Sequence, residues 1–318
     1  MKRVRRILPR LLLAFAAPFL ALILIEGAAR LAGWGHPTRF LQPWAIEGRP
    51  VWIDNPIFGY RFFAPAVTRT PAPLVIDRAK ATNEFRVVVL GESAAMGEPE
   101  PAFGPARMLE FELARRWPDR KVRVINAAMT AINSHVIREI ARELPRLQPD
   151  AVVLYIGNNE VVGPFGPGTV FDAPMGHRAA NRLRVLLTRS RAVSAFRAWR
   201  GREDQQTWEG MEMFASRTVA EDDPRLALVY GAFEDNLRAI VNAVEQAGAV
   251  PVICTVAVNL ADQAPFDGSA FPADQPDRLA ALRDADRLRF RADSKINAIT
   301  RRVAGERPAA RLVDVEQA

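Results

Sequence analysis

Five strand-like apolar runs recur along the chain, at Phe85 to Leu90, Val122 to Asn126, Ala151 to Ile156, Val250 to Val258 and Arg311 to Val315. Most are short and continuous rather than alternating, the pattern of strands covered on both faces in a parallel sheet. Between them lie segments with apolar residues at helical spacing. One runs from Phe103 to Trp117, with Phe103, Met108, Phe111, Leu113 and Ala114 on its stripe, and another from Arg225 to Gln246. This alternation predicts an α/β fold, and right-handed crossovers make it a three-layer αβα sandwich. Upstream, residues 34–80 are rich in Pro and aromatics ("PVWIDNPIFGYRFFAPAV") and keep no helical period, which predicts an arm of short extended pieces. No internal repeat is visible.

The N-terminus has a different pattern. Fifteen uncharged residues, Leu11 to Ile25, follow Lys2, Arg3, Arg5, Arg6 and Arg10. Fifteen is short of the roughly twenty residues of a spanning helix, but the flanks, with Arg10 and Glu26 snorkelling, allow a tilted one. The chain is therefore expected to divide into a cytoplasmic basic segment (1–10), a single transmembrane anchor (11–33), a juxtamembrane arm (34–80) and a catalytic-type domain (81–318). A cleaved signal peptide is the rival, with Gly27-Ala28-Ala29 as a small-residue cleavage site. Glu26 and Arg30 continue a helical pattern into Leu31, which favours the uncleaved anchor. The expected location is the inner membrane, single-pass, with the domain periplasmic or extracellular.

Charge adds little beyond topology. Of the net +7 over 318 residues, the first ten contribute five, so no nucleic-acid partner is implied. One basic cluster remains, Arg178 to Arg202, with eight arginines, no acid and an apolar side of Leu183, Leu186, Leu187, Val193, Phe196 and Trp199. It reads as a solvated helix face of the domain or as a helix resting on anionic lipid near the anchor. The single cysteine, Cys254, falls inside a strand and reads as a buried structural thiol.

Candidate chemistry gathers at strand ends. Gly91-Glu92-Ser93 follows the first parallel strand, "NAAMTAINS" (Asn126 to Ser134) the second, and Gly157-Asn158-Asn159-Glu160 the third. In a parallel sheet these ends share one edge and face one crevice. The Ser93 hydroxyl is suited to attack an acyl carbonyl there, with backbone N–H groups at Ser93 and near Ala131 and the side-chain amide of Asn159 stabilising the oxyanion. No metal-ligand cluster is apparent, and Gly91 and Gly97 are too far apart for a phosphate-cradling glycine fingerprint.

"GES", "INAAMTAINS" and "GNNE" resemble the first three blocks of the SGNH (GDSL-type) hydrolases. Further phrases, "GMEMF", "TVAVNL" and "APF", are similar to a bacterial, membrane-anchored branch. The resemblance covers roughly Glu84 to Ala318. It implies a flavodoxin-like three-layer fold, a serine esterase acting on acyl esters (lipid, acylated glycan or thioester) and no cofactor. It makes Ser93 the nucleophile, Ala131 the backbone donor of block two and Asn159 the donor of block three. Glu92 and Glu160 stand where Asp is usual, and Ala131 where Gly is usual. The family's general base, a His in Asp-x-x-His, has no counterpart: the histidines are His36, His135 and His177, and none has Asp three residues before it. The segment carrying the base is expected beyond Ala318. His135 and His177 are the weaker substitutes. The alternative function is a noncatalytic crevice-binding or scaffold module of the same fold.

Overall fold

The computed structural model describes residues 2–171, 178–199, 207–260, 262–266 and 276–318. The elements run α1 (Lys2–Leu31), β1 (Leu41–Ile46), β2 (Arg49–Asp54), β3 (Val75–Asp77), β4 (Glu84–Gly91), α2 (Ser93–Met96), α3 (Pro105–Arg116), β5 (Lys121–Asn126), α4 (Ser134–Ala141) and α5 (Leu144–Leu147). They continue with β6 (Ala151–Tyr155), α6 (Arg178–Leu187), α7 (Arg191–Trp199), α8 (Arg225–Gln246), β7 (Val250–Cys254), α9 (Pro276–Ala285), α10 (Ser294–Gly305) and β8 (Arg311–Val313).

Five strands form one parallel sheet in the order β5-β4-β6-β7-β8. Counted among themselves in chain order this is 2-1-3-4-5, the doubly wound arrangement whose topological switch point lies between the first and third strands. Here those strands are β4 and β6. Strand β4 is buried along nearly its whole length because its alternate side chains face different helices. Val88 and Leu90 join the large core with Ile137 and Ile140 of α4, Phe233 and Leu237 of α8, and Ile296 and Val303 of α10. Val89 packs on the opposite side with Ala95 and Met96 of α2 and Ala106 of α3. The layers are consistent with the predicted sandwich.

The arm is built into the domain. Strands β1, β2 and β3 form an antiparallel sheet, and Phe40, Leu41, Phe58, Phe62, Phe63, Val67, Leu74 and Ile76 belong to the large core. Two buried arginines fasten it. Arg86, wholly buried in β4, donates to Glu84 (2.8 Å) and to the carbonyls of Leu147 and Asp77, the last in β3. Arg61 donates to Glu139 of α4 (2.8 Å), to Thr188 and to the carbonyl of Thr38. A buried ion pair stripped of one partner destabilises by about 3–5 kcal/mol, which makes the Arg61–Glu139 pair a strong tie between the arm and α4; the Arg86–Glu84 pair lies within β4, and Arg86 reaches β3 through its bond to the Asp77 carbonyl.

Three expectations change in detail. The stripe predicted on Phe103 to Trp117 does not face the core: α3 forms, but Phe103, Met108 and Phe111 are exposed, and Ala106 is its buried residue. The arginine-rich segment divides into α6 and α7, with Leu183, Leu186, Leu187, Phe196 and Trp199 exposed rather than packed inward; positions 200–202 lie outside the described residues, as does His177. At the N-terminus one continuous helix, α1, covers the predicted anchor. Among the described residues, no helix is long and apolar enough to cross a membrane.

Candidate active site

The end of β4 leaves no room for any residue but glycine. A Cβ added to Gly91 would lie 2.3 Å from the Ala95 Cβ and 2.4 Å from the Tyr155 carbonyl oxygen, so only a hydrogen lets the chain turn directly from β4 into α2. Ser93 is thereby set, half-buried, at the first position of that helix.

Neighbouring acids brace the loop around it. Glu92, fully buried, accepts from the N–H groups of Asn158 (2.8 Å) and Gly157 (3.2 Å), tying the end of β4 to the end of β6. Glu160, also buried, accepts from the N–H (2.8 Å) and the hydroxyl (2.7 Å) of Ser134, tying the β6 turn to the start of α4. The Asn236 amide of α8 donates to the same hydroxyl at 3.0 Å. Burial pushes the Glu92 carboxyl well above the ordinary carboxylate range, and the negative charge of Glu160 adds to the rise; the backbone N–H bonds oppose it. Burial raises Glu160 likewise, against the opposing Ser134 bonds. Two carboxylates sharing a dry site cannot both ionise freely. The two Glu-for-Asp departures are therefore interior braces, not surface charges.

The β5 turn is anchored to α2 by the Asn126 amide, which donates to the Met96 carbonyl at 3.0 Å. Within it Ala131 has φ +64°, left-handed backbone that disfavours a side chain. This explains why glycine is usual in the resembling motif. Asn159 is nearly buried and donates one amide hydrogen to the Ile132 carbonyl at 3.1 Å; an asparagine amide has two, and the second remains for the cleft.

Ser93, Ala131 and Asn159 all line one cavity of about 350 Å³. The three sequence-predicted positions are thus brought together at the switch point. So are residues from the three further phrases: Met211 and Phe214, Asn259, and Phe266. The rest of the wall was not foreseen. Phe171, Trp208 and the adjacent pair Phe290 and Arg291 come from three loops with no shared period, and Arg291 stacks on Phe266 at 4.3 Å while donating to the carbonyls of Gln263 and Ala264.

Neither described histidine reaches the cleft. His135, on α4, meets the Asn236 amide at 3.0 Å and packs edge-on against Phe165; burial and the nearby Arg138 charge push it down to about 4, so it is neutral at pH 7. His36 packs against Tyr60 and lines a different cavity. Cys254 is buried, its thiol pushed up to about 11 by desolvation, as a structural cysteine should be.

No family model matches the chain, and no curated protein matches it. Matching solved structures include the acetyl xylan esterase AlAXEase, 13% identical over 73% of this chain and 78% of that one, with a TM-score of 0.37. A lipase/acylhydrolase from Enterococcus faecalis gives 13% identity over 73% and 77%, with a TM-score of 0.37. AlinE4, an SGNH-hydrolase family esterase, gives 11% over 74% and 77%, with a TM-score of 0.35. Similarity this low carries no argument about activity. What the chain is similar to, at that level, is a group of esterases and acylhydrolases.

Proposed function

We propose that this chain carries the nucleophile and oxyanion half of an SGNH-type serine ester hydrolase. The observation that carries the reading is the meeting of Ser93, Ala131 and Asn159 in one cleft at the β4/β6 switch point. In the proposed reaction the Ser93 Oγ attacks an acyl carbonyl. The N–H groups of Ser93 and Ala131 and the second amide hydrogen of Asn159 hold the tetrahedral oxyanion, and water then releases the acid. Asn159 is pre-oriented for this by its bond to Ile132. The proton acceptor is proposed to be a histidine of an Asp-x-x-His segment supplied from outside these 318 residues. A noncatalytic crevice is the second reading, favoured by one observation: among the described residues no histidine lines the cleft.

The proposal includes an uncleaved membrane anchor and an exported domain. Supporting the uncleaved N-terminus, Glu26 accepts from the Ser190 hydroxyl (2.6 Å) and from the N–H groups of Arg191 and Ala192 at the start of α7. Cleavage at Gly27-Ala28-Ala29 would discard that cap. A reporter active only in the periplasm, fused after Ala318, should be active, and intact protein should retain its N-terminus.

Catalysis is tested on protein joined to an Asp-x-x-His-bearing segment, with p-nitrophenyl acetate as substrate. Ser93→Ala should abolish turnover. Asn159→Ala should lower kcat about a hundredfold or more with KM little changed, since its contact is made to the transition state. Full activity in Ser93→Ala would overturn the assignment.

A further inference from the structure

The cleft that holds Ser93 is walled largely by rings. Phe290 meets Phe214 edge-on at 5.2 Å and Phe266 at 5.6 Å, and Phe214 meets Phe171 at 5.4 Å. Among them stands Arg291, the one charged side chain on the cleft wall among the described residues. The loop bearing it is tied to the turn bearing Asn159, because the side-chain carbonyl of Asn158 accepts from the Ala292 N–H at 3.4 Å. Phe266, on which the guanidinium stacks, is held in turn by Asp286, which accepts from its N–H at 2.8 Å.

Arg291 has more donors than partners. A guanidinium carries five N–H hydrogens. Two of them reach the Gln263 and Ala264 carbonyls, on the exposed side of the group, and Nε is buried with no partner. Asp286 is the carboxylate whose charge it feels, but the Asp286 oxygens accept from the N–H groups of Phe266 and Leu288 (3.0 Å) instead. Other polar groups on the wall are engaged locally: the Thr130 hydroxyl donates to Glu98 at 2.8 Å and the Asn259 amide to Asp262 at 3.2 Å. A neutral donor would be enough to hold two backbone carbonyls, so the charge of Arg291 is left over. A cation half out of water beside aromatic rings is costly until an anion completes it.

We propose that Arg291 binds a carboxylate carried by the substrate, so that the ester presented to Ser93 is an acidic one, with a carboxylate on its acyl or its alcohol part. This rests on the hydrolase reading above. The planar fork of the guanidinium matches a planar carboxylate, and the rings suit the neutral remainder of the molecule. A phosphate monoester fits less well. It brings a charge of about −1.5 to −2 at pH 7 to a wall with a single cation, leaving part of that charge uncompensated among the rings.

The 318-residue chain is titrated calorimetrically with 4-acetamidobenzoate, with its neutral isostere 4-acetamidobenzamide and with 4-acetamidophenyl phosphate, amides that stand in for the ester. The carboxylate should bind about tenfold or more tightly than the benzamide, and more weakly as salt is raised. Arg291→Gln, which keeps a donor for the backbone carbonyls, should bring the two affinities together, whereas Arg291→Lys, which keeps the charge, should retain part of the preference, with far-ultraviolet circular dichroism unchanged in both. Three outcomes in the unsubstituted chain overturn the proposal: no measurable binding of the carboxylate, equal binding of carboxylate and benzamide, or tighter binding of the phosphate. A full preference surviving in folded Arg291→Gln overturns it as well. Hydrolysis is read separately, on the protein bearing the Asp-x-x-His segment, as kcat/KM for 4-acetoxybenzoate and 4-acetoxybenzamide. Failure to cleave either strikes the hydrolase reading, while cleavage of both at equal kcat/KM strikes the carboxylate site.

Discussion

Ala131 shows how much a single position can reveal. At φ +64° an alanine is strained by roughly 1 kcal/mol relative to glycine, while glycine loses about as much through its freer unfolded chain. Ala131→Gly should therefore change stability in urea by less than about 0.5 kcal/mol, where an ordinary Ala→Gly in a regular element costs about 0.5–1 kcal/mol. Ala131→Val should be clearly destabilising, since a β-branched side chain is poorest in that region. The buried acids give a pH signature. The Glu92 and Glu160 carboxyls are raised in the folded state, so between the ordinary carboxylate range of about 4–5 and neutrality the native protein holds more protons than the unfolded one. Their contribution to stability then falls as pH rises through that window, while buried His135, pushed down to about 4, contributes the opposite slope below its ordinary value of about 6.5. The thermal midpoint should drop from about pH 6.5 toward pH 8, and Glu160→Gln, which keeps an acceptor for the Ser134 N–H, should flatten the slope. Ser93, Ala131 and Asn159 were legible in the sequence because strand ends concentrate them. The aromatic wall was not: Phe171, Trp208 and Phe290 are brought together only by tertiary structure.

Among elements, the parallel strands were the most legible, because burial on both faces leaves continuous apolar runs; the ends of β7 and β8 came out shorter, at Cys254 and Val313. Helix α8 keeps the predicted limits, Arg225–Gln246. Helix α3 shows where periodicity misleads, since Met108 and Phe111 keep the spacing of a core stripe yet face outward. The arm's sheet was hidden by its prolines, Pro43 in β1 and Pro50 in β2, and by the shortness of β3. The break between α6 and α7 falls at Ser190, whose Oγ accepts from the Val193 N–H at 3.1 Å as a local cap and donates to Glu26, 164 residues away in sequence. Glu26→Ala should remove the acceptors of the Arg191 and Ala192 N–H groups while leaving the Ser190 cap on Val193, lowering stability by about 1 kcal/mol and speeding amide hydrogen exchange at Arg191 and Ala192. Unchanged exchange at both amides would show that α7 is held by other contacts.

At the scale of the whole molecule, the 2-1-3-4-5 order puts the cleft at one end of the sheet, while α1, α6 and α7 leave apolar side chains and arginines outside. A basic surface with exposed Leu183, Leu186, Phe196 and Trp199 suits an anionic lipid interface. Residues 34–318 should sediment with phosphatidylglycerol vesicles more than with phosphatidylcholine vesicles, less so as salt is raised. The double substitution Phe196→Ser/Trp199→Ser should release them. The way the arm is fastened also has a consequence in time. Arg61 finds its carboxylate 78 residues further on, at Glu139, and its hydroxyl partner 127 residues further on, at Thr188. At a synthesis rate of about 5–20 residues per second, the arm waits roughly 4 to 25 s after leaving the ribosome before those partners exist. During that interval Phe58 and Phe62 can pack on Phe40 and on each other, but the side chains of α4, α8 and α10 that complete their core do not yet exist. The first part of the fold to be made is among the last to be fully covered.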